Sequence, residues 1–335
     1  MTASHPRHLE AEWTTGFVRR VLLNSASVRM YSAAPYLAEL YRPDLSERIR
    51  HPAEVGDRSC ASPLALLLGG KTYFIPGSAE DLILYVSSVV ACAAAIARSL
   101  PAKAEEDQGP PARGSLRRGE GGSQAELRAA WKKLNTETHR RLVLDRLWVV
   151  CSDIHDCIGT VNPDRLDGLL EEAGAEAAAL AHLARMQGVW QQAGCRGLPL
   201  TGGFPLLIKL YLAEVDARLR REGIAFIRLQ DDFRLFCRSR DEALCATEFL
   251  TQALAACGMR INEGKQRLIA PGPRAAGLLR EQTLSRLFQH GVGQPLLCEM
   301  LQSPLLRPMA LGLLRRLYGH HCWEMPIAKD LEGNS

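Results

Sequence analysis

The chain has 335 residues, of which 47% are hydrophobic and 23% are charged, and its formal net charge is +4. This apolar content excludes disordered and fibrous proteins, and it is enough for one large globular unit or two modest domains. The small positive charge is compatible with a polyanionic partner and does not require one.

Residues 1–100 are predicted to be mostly helical, with short extended pieces such as the strand at 71–76. The longest apolar run, residues 82–97, is shorter than the ~20 residues that span a bilayer, and it contains two serines. It therefore predicts a buried helix and no membrane span. The polar residues 1–13 do not resemble a secretory signal.

The ten cysteines are scattered singly and form no CxxC pair. This spacing speaks against a zinc ribbon. Together with the missing signal, it favours a reduced, cytoplasmic protein with buried thiols.

Residues 101–124 are rich in proline, glycine and charge, and predict a flexible basic loop. Arg113, Arg117 and Arg118 lie in it and could contact nucleic acid. The simpler alternative, a solvated loop without a ligand, is favoured.

Residues 125–270 alternate between strand and helix patterns. Strand-like apolar runs occupy 147–151, 225–229 and 233–237, and helical patterns occupy 124–145, 163–184, 206–221 and 241–257. The first strand leads into Asp153, and the second and third are joined by Gln230, Asp231 and Asp232. The pattern predicts an α+β fold in which acidic residues lie at strand ends.

Acidic residues between buried strands need a partner, because an unpaired charge in an apolar environment is costly. Asp153, Asp231 and Asp232 would offer oxygen ligands to Mg²⁺, which commonly binds between carboxylates and substrate phosphates. The alternative is a polar hairpin turn at Asp231 and Asp232 and a helix cap at Asp153, since aspartate is a common turn residue.

Four segments in order resemble the palm of reverse transcriptases, most closely the bacterial unknown-group and abortive-infection enzymes of antiphage defence. They are a strand ending in Asp153, a glycine-rich turn leading into a helix, an Asp-Asp hairpin and a segment with an Asn-x-x-Lys pattern, at residues 150–161, 197–216, 226–236 and 258–268. The resemblance implies a right-hand polymerase. In it, residues 1–100 are fingers-like, 125–270 form an antiparallel palm sheet packed on helices, and 271–335 form a short helical thumb or an oligomer contact.

The resemblance also implies roles for individual residues. Asp153 and Asp231 would hold two Mg²⁺ ions, or Mn²⁺ in their place, with Asp232 beside them. The backbone carbonyl of Ile154 would complete the shell of one ion. Lys265 would lie near the incoming triphosphate, as a charge partner or as a proton donor to pyrophosphate.

Several positions depart from the family pattern. Ile158 replaces the aromatic gate under the sugar, and Leu200 and Thr201 replace the usual residues of the nucleotide-binding turn. The changes predict unusual selection of nucleotides, and either unusual use of a template or no nucleic-acid template at all. Glu214 and Asp216, on the following helix, are expected to be surface or capping groups. In the tail, Arg315 and Arg316 could contact a duplex backbone.

The sequence thus predicts an RNA-directed DNA polymerase in antiphage defence, with dNTPs as substrates. The implied partners are a non-coding RNA, a DNA product or both, together with a partner defence protein. The protein is expected to form a homo- or hetero-oligomer. The main alternative is a catalytically silent palm subunit that binds nucleic acid. A nucleotide cyclase is less favoured, since its Gly-Gly-acid-acid-Phe hairpin is missing.

Overall fold

The computed structural model describes residues 60–68, 71–100, 124–201 and 204–272, and these residues form a mixed α+β structure with antiparallel sheets. The α+β part of the predicted fold class is confirmed. The predicted loop arginines Arg113, Arg117 and Arg118, and the tail residues Arg315 and Arg316, lie outside the described residues.

Strands and helices are interspersed along the described part of the chain. The strands are β1 (Leu64–Leu68), β2 (Lys71–Ile75), β3 (Trp148–Asp153), β4 (Ala225–Leu229), β5 (Asp232–Cys237) and β6 (Arg267–Ile269). The helices are α1 (Ala79–Ser99), α2 (Gln124–Val143), α3 (Cys157–Thr160), α4 (Pro163–Glu172), α5 (Ala177–Gln192), α6 (Phe204–Tyr211), α7 (Ala213–Arg221) and α8 (Arg240–Ala255), and a 3₁₀ turn spans Glu263–Lys265.

The main sheet has the strand order β4-β5-β3-β6, and β5 pairs antiparallel with both β4 and β3. Every residue of β5 is buried, as expected for a central strand whose two faces are both covered. Helix α8 packs against β5 and β3, and α7 packs against β4. A separate hairpin is made of β1 and β2.

Helix boundaries follow local chemistry. Ser78, Asn162 and Ser239 cap α1, α4 and α8 by accepting a hydrogen bond from a first-turn amide. The single helix predicted over 163–184 is wrong, because the chain turns at Gly174, whose φ is +75°, and restarts as α5. The helix predicted over 206–221 is likewise two helices, α6 and α7, which meet at Leu212.

The predicted buried helix at 82–97 is confirmed as α1. Among the described residues it is the one helix long and apolar enough to cross a membrane, and 67% of its most apolar 18-residue window is buried inside the protein. Tyr85 on this helix packs on Trp190 of α5 with ring centroids 5.3 Å apart, and Phe74 of β2 lies 5.5 Å from the same ring. These contacts make α1 a core helix.

The chain divides into two compact units. Of the described residues, the larger contains those up to Thr138 and those between Trp148 and Leu268, and the smaller contains His139–Leu147 and residues 269–272. In the smaller unit, Arg140 pairs with Asp145 at 2.9 Å. The site described below lies in the larger unit.

Candidate metal centre

The main sheet brings three aspartates to one edge. Asp153 is the last residue of β3, Asp232 is the first residue of β5, and the two are directly paired in the antiparallel register. On the other side of β5, Asp232 pairs with Leu229, so that Gln230 and Asp231 form a two-residue hairpin turn. The register alone therefore places Asp231 beside the Asp153–Asp232 pair.

Carboxylate oxygens of Asp153, Asp231 and Asp232 all lie within 4.8 Å of one another. Asp153 is 4% exposed and Asp232 is 7% exposed. Three acids so close in a partly dehydrated place repel one another unless cations compensate them. Hard divalent cations such as Mg²⁺ and Mn²⁺ take all-oxygen ligand sets of this kind.

The pKa of Asp231 reflects its burial and the repulsion among the three acids. Burial, together with the negative charges of Asp153 and Asp232, raises the pKa of Asp231 from 3.8 to about 8, and the charge of Lys265 opposes the rise. A bound divalent cation would reverse this effect by stabilising the ionised form. The donor set therefore fits a divalent metal.

Two basic side chains touch the aspartates. The Nζ of Lys265 lies 2.5 Å from Oδ2 of Asp153. The buried Arg234 places Nη1 3.5 Å from Oδ1 of Asp232 and donates from the same nitrogen to the carbonyl of Phe233 at 2.9 Å. The structure thus brings the predicted Lys265 to the acidic cluster, and it adds Arg234, which the sequence interpretation missed. An arginine inside a strand as apolar as β5 was the available signal.

Backbone hydrogen bonds fix the neighbouring segments. Ile154 donates its N–H to the carbonyl of Asp231 at 3.3 Å, and Asn262 donates to the carbonyl of Asp153 at 2.7 Å. Ile154 also forms an isolated antiparallel bridge with Ile261. These bonds place Ile154 against the hairpin turn and bring the 3₁₀ turn with Lys265 to the same edge.

Backbone hydrogen bonds connect the segments that carry the predicted nucleotide-binding residues. Leu198 donates its N–H to the carbonyl of Ile158 at 3.0 Å, and Leu200 donates to the carbonyl of Phe74 at 2.8 Å. Gly197 has a φ of +70°, and a Cβ there would collide with the Ile158 carbonyl. Only glycine suits this position, because the backbone is left-handed and the approach is close.

Thr201 ends the described part of this turn. Its side chain is 5% exposed, and its Oγ1 has no hydrogen-bond partner within the described residues. A buried hydroxyl without a partner is unusual in folded proteins and marks a position that a ligand or water could satisfy. Leu200 beside it is half-buried.

Tyr73 lies within electrostatic range of Asp156 and Asp231, which the sequence interpretation missed. Successive side chains of a strand point to opposite faces, and Phe74 packs inward on Trp190. The phenol of Tyr73 therefore points away from that core. Burial raises its pKa, with further contributions from the charges of Asp156 and Asp231. The tyrosine in the predicted strand at 71–76 was the only sequence signal.

Asp216 corrects the expectation that both acids of the second motif are surface or capping groups. Glu214 is exposed, but Asp216 is 4% exposed and accepts two hydrogen bonds from Arg228, at 2.8 Å from Nε and 2.7 Å from Nη2. The expectation failed because helical periodicity does not reveal an arginine on a neighbouring strand. The signal was Arg228 itself, a charge within a buried strand.

No family model matches the chain, and no curated protein sequence matches it.

Proposed function

We propose that the protein is a nucleotidyltransferase of the reverse transcriptase type, which uses dNTPs and divalent ions to synthesise DNA. The observation that supports this most is the triad of Asp153, Asp231 and Asp232, whose carboxylate oxygens lie within 4.8 Å of one another at one sheet edge. The antiparallel sheet that holds them, with α7 and α8 packed on it, is compatible with the palm of a right-hand polymerase.

In the proposed reaction the 3′-hydroxyl of a primer gives its proton to water, and its oxygen forms a bond to the α-phosphorus of a dNTP. The bond from that phosphorus to the bridging oxygen breaks, and pyrophosphate leaves. Divalent ions held by Asp153 and Asp231 would supply charge neutralisation and activation of the hydroxyl.

The chain's own residues have separate tasks in this proposal. Lys265, within reach of Asp153, offers a positive charge and a proton to the leaving pyrophosphate. The tight turn at Gly197 would form one side of the nucleotide pocket. Ile158 lies against that turn and presents a branched aliphatic side chain where the resembling enzymes have an aromatic gate.

Other parts of the proposal rest on the resemblance alone. They are the role in bacterial antiphage defence, the cytoplasmic location, a non-coding RNA or DNA product as the nucleic-acid partner, a partner defence protein, and assembly into oligomers.

Primer extension with dNTPs and Mg²⁺ tests the proposal. The variant Asp231→Ala/Asp232→Ala should lose incorporation, because it removes two of the three acids. The matched control Glu171→Ala/Glu172→Ala removes two adjacent exposed acids at the end of α4 and should retain activity. No incorporation by the wild type, alone or with its cognate RNA and partner proteins, would refute the proposal.

A second candidate is a catalytically silent subunit that binds nucleic acid. The contact between Lys265 and Asp153 favours it, because an internal ammonium can compensate the acids without a metal. This candidate predicts nucleic-acid binding that neither a chelator nor the Asp231→Ala/Asp232→Ala change weakens. Loss of binding on chelation would exclude it.

A further inference from the structure

One buried guanidinium connects three parts of the sheet edge. Arg228 of β4 is 1% exposed and donates from Nε and Nη2 to the two carboxylate oxygens of Asp216 on α7. Its Nη1 donates to the backbone carbonyl of Gln230 at 3.0 Å. The arginine therefore links a helix, a strand and the hairpin turn that precedes Asp231.

The buried ion pair of Arg228 and Asp216 is expected to add little to the stability of the fold. The free energy needed to remove two charges from water is about as large as the attraction between them. Apolar residues of the same volume therefore commonly stabilise a fold as well or better. The planar guanidinium of Arg228 does, however, have a fixed orientation, because its two hydrogen bonds to Asp216 must lie in one plane. The third donor is thereby aimed at the turn.

The turn itself needs such support. Gln230 has a φ of +56°, a left-handed conformation that costs free energy for any residue with a Cβ. On the other side of the turn, the N–H of Ile154 donates to the carbonyl of Asp231 at 3.3 Å. The two turn residues are thus held from both sides, by Arg228 at Gln230 and by Ile154 at Asp231.

We propose that Arg228 and Asp216 are positioning residues: they hold the left-handed turn at Gln230 so that the carboxylate of Asp231 stays beside Asp153 and Asp232. The inference rests on the proposed function in one respect, that the three aspartates bind divalent ions. Arg228 acts through the turn and contacts no reacting atom.

The test uses Arg228→Met/Asp216→Leu, which removes both buried charges and keeps apolar volume, so that the fold is retained. Three properties of the full-length protein are measured: the urea midpoint of unfolding, hydrogen exchange of the amides at 230–232, and Mn²⁺ affinity by electron paramagnetic resonance. We expect an unchanged or higher urea midpoint, faster exchange confined to the turn, and Mn²⁺ affinity lowered about tenfold or more.

Two further variants sharpen the result. Arg228→Lys retains the charge without the planar guanidinium, and it should keep the fold but show the same lowered Mn²⁺ affinity. The control Arg165→Met/Glu214→Leu removes a partly exposed ion pair that also ends on α7, and it should leave turn exchange and Mn²⁺ affinity unchanged.

Each of the following outcomes overturns the positioning role, the polymerase or both. Wild-type Mn²⁺ affinity and wild-type turn exchange in Arg228→Met/Asp216→Leu would overturn the positioning role. So would faster exchange throughout the protein with a lower urea midpoint, because the pair would then serve global stability. A wild type that binds Mn²⁺ but extends no primer would overturn the polymerase while leaving the positioning role standing. A wild type that binds no Mn²⁺ would overturn both.

Discussion

Replacing Asp231 with asparagine distinguishes a metal-binding acid from a polar turn residue. Two carboxylates no more than 4.8 Å apart repel by at least about 3.5 kcal/mol at an effective dielectric constant of about 20. Asp231 has two such neighbours, Asp153 and Asp232, and the charge of Lys265 offsets part of the repulsion. We therefore expect Asp231→Asn to stabilise the metal-free protein by at least about 3 kcal/mol near pH 9, because burial of the Asp231 carboxylate adds to the repulsion.

The pH dependence follows from the direction of the pKa shift. Asp231 keeps its proton in the folded protein up to about pH 8, whereas the unfolded chain loses it near 3.8. Between these values the folded state binds more protons, so this group makes the wild type less stable as the pH rises, by up to about 1.4 kcal/mol per pH unit. Below pH 4 both states are protonated and the effect vanishes. The stability gain of Asp231→Asn should therefore shrink on acidification.

The assay is urea unfolding in the presence of EDTA at several pH values, with Glu172→Gln as a control that removes an exposed carboxylate. Mg²⁺ at 100 times its dissociation constant should then stabilise the wild type by about 2.7 kcal/mol, and it should not stabilise Asp231→Asn. An asparagine variant with wild-type stability near pH 9, or with a wild-type response to Mg²⁺, would refute the reasoning.

Three further changes test the surrounding pocket. Lys265→Gln removes the ammonium beside Asp153 and should slow dNTP incorporation about 100-fold in single-turnover primer extension. Gly197→Ala should destabilise the protein by about 2 kcal/mol in urea unfolding, because of its positive φ and the collision with Ile158. The control Gly188→Ala, in open space on α5, should be neutral or stabilise by up to about 1 kcal/mol. Ile158→Phe should raise the preference for dNTPs over rNTPs about tenfold or more in competitive incorporation.

Each of these predictions has a contradicting result. Unchanged single-turnover rates in Lys265→Gln would make that lysine a surface counter-ion only. Equal effects of alanine at Gly197 and Gly188 on stability would show that the turn does not require glycine at position 197. An unchanged nucleotide preference in Ile158→Phe would place this side chain away from the sugar.

Strands and helices with strong periodicity could be predicted from the sequence. The apolar run at 225–229 is β4, and the run at 82–97 lies within the buried helix α1. Breaks inside helical patterns could not be predicted as well, because Gly174 and Leu212 interrupt helices without disturbing the spacing of apolar residues. Strand β1 was missed altogether, since its five residues offer no alternation of polar and apolar side chains.

The three aspartates were candidates from the sequence, because acids at the ends of apolar strands need a partner wherever the strands pack. Their mutual distances were decided by the sheet: the antiparallel register of β3 with β5 pairs Asp153 with Asp232, and the tight turn adds Asp231. The buried contact of Arg228 with Asp216 was decided only in three dimensions. The physical reason is that periodicity reports which face of an element is apolar, whereas the partner of a buried charge depends on which elements become neighbours when the chain folds.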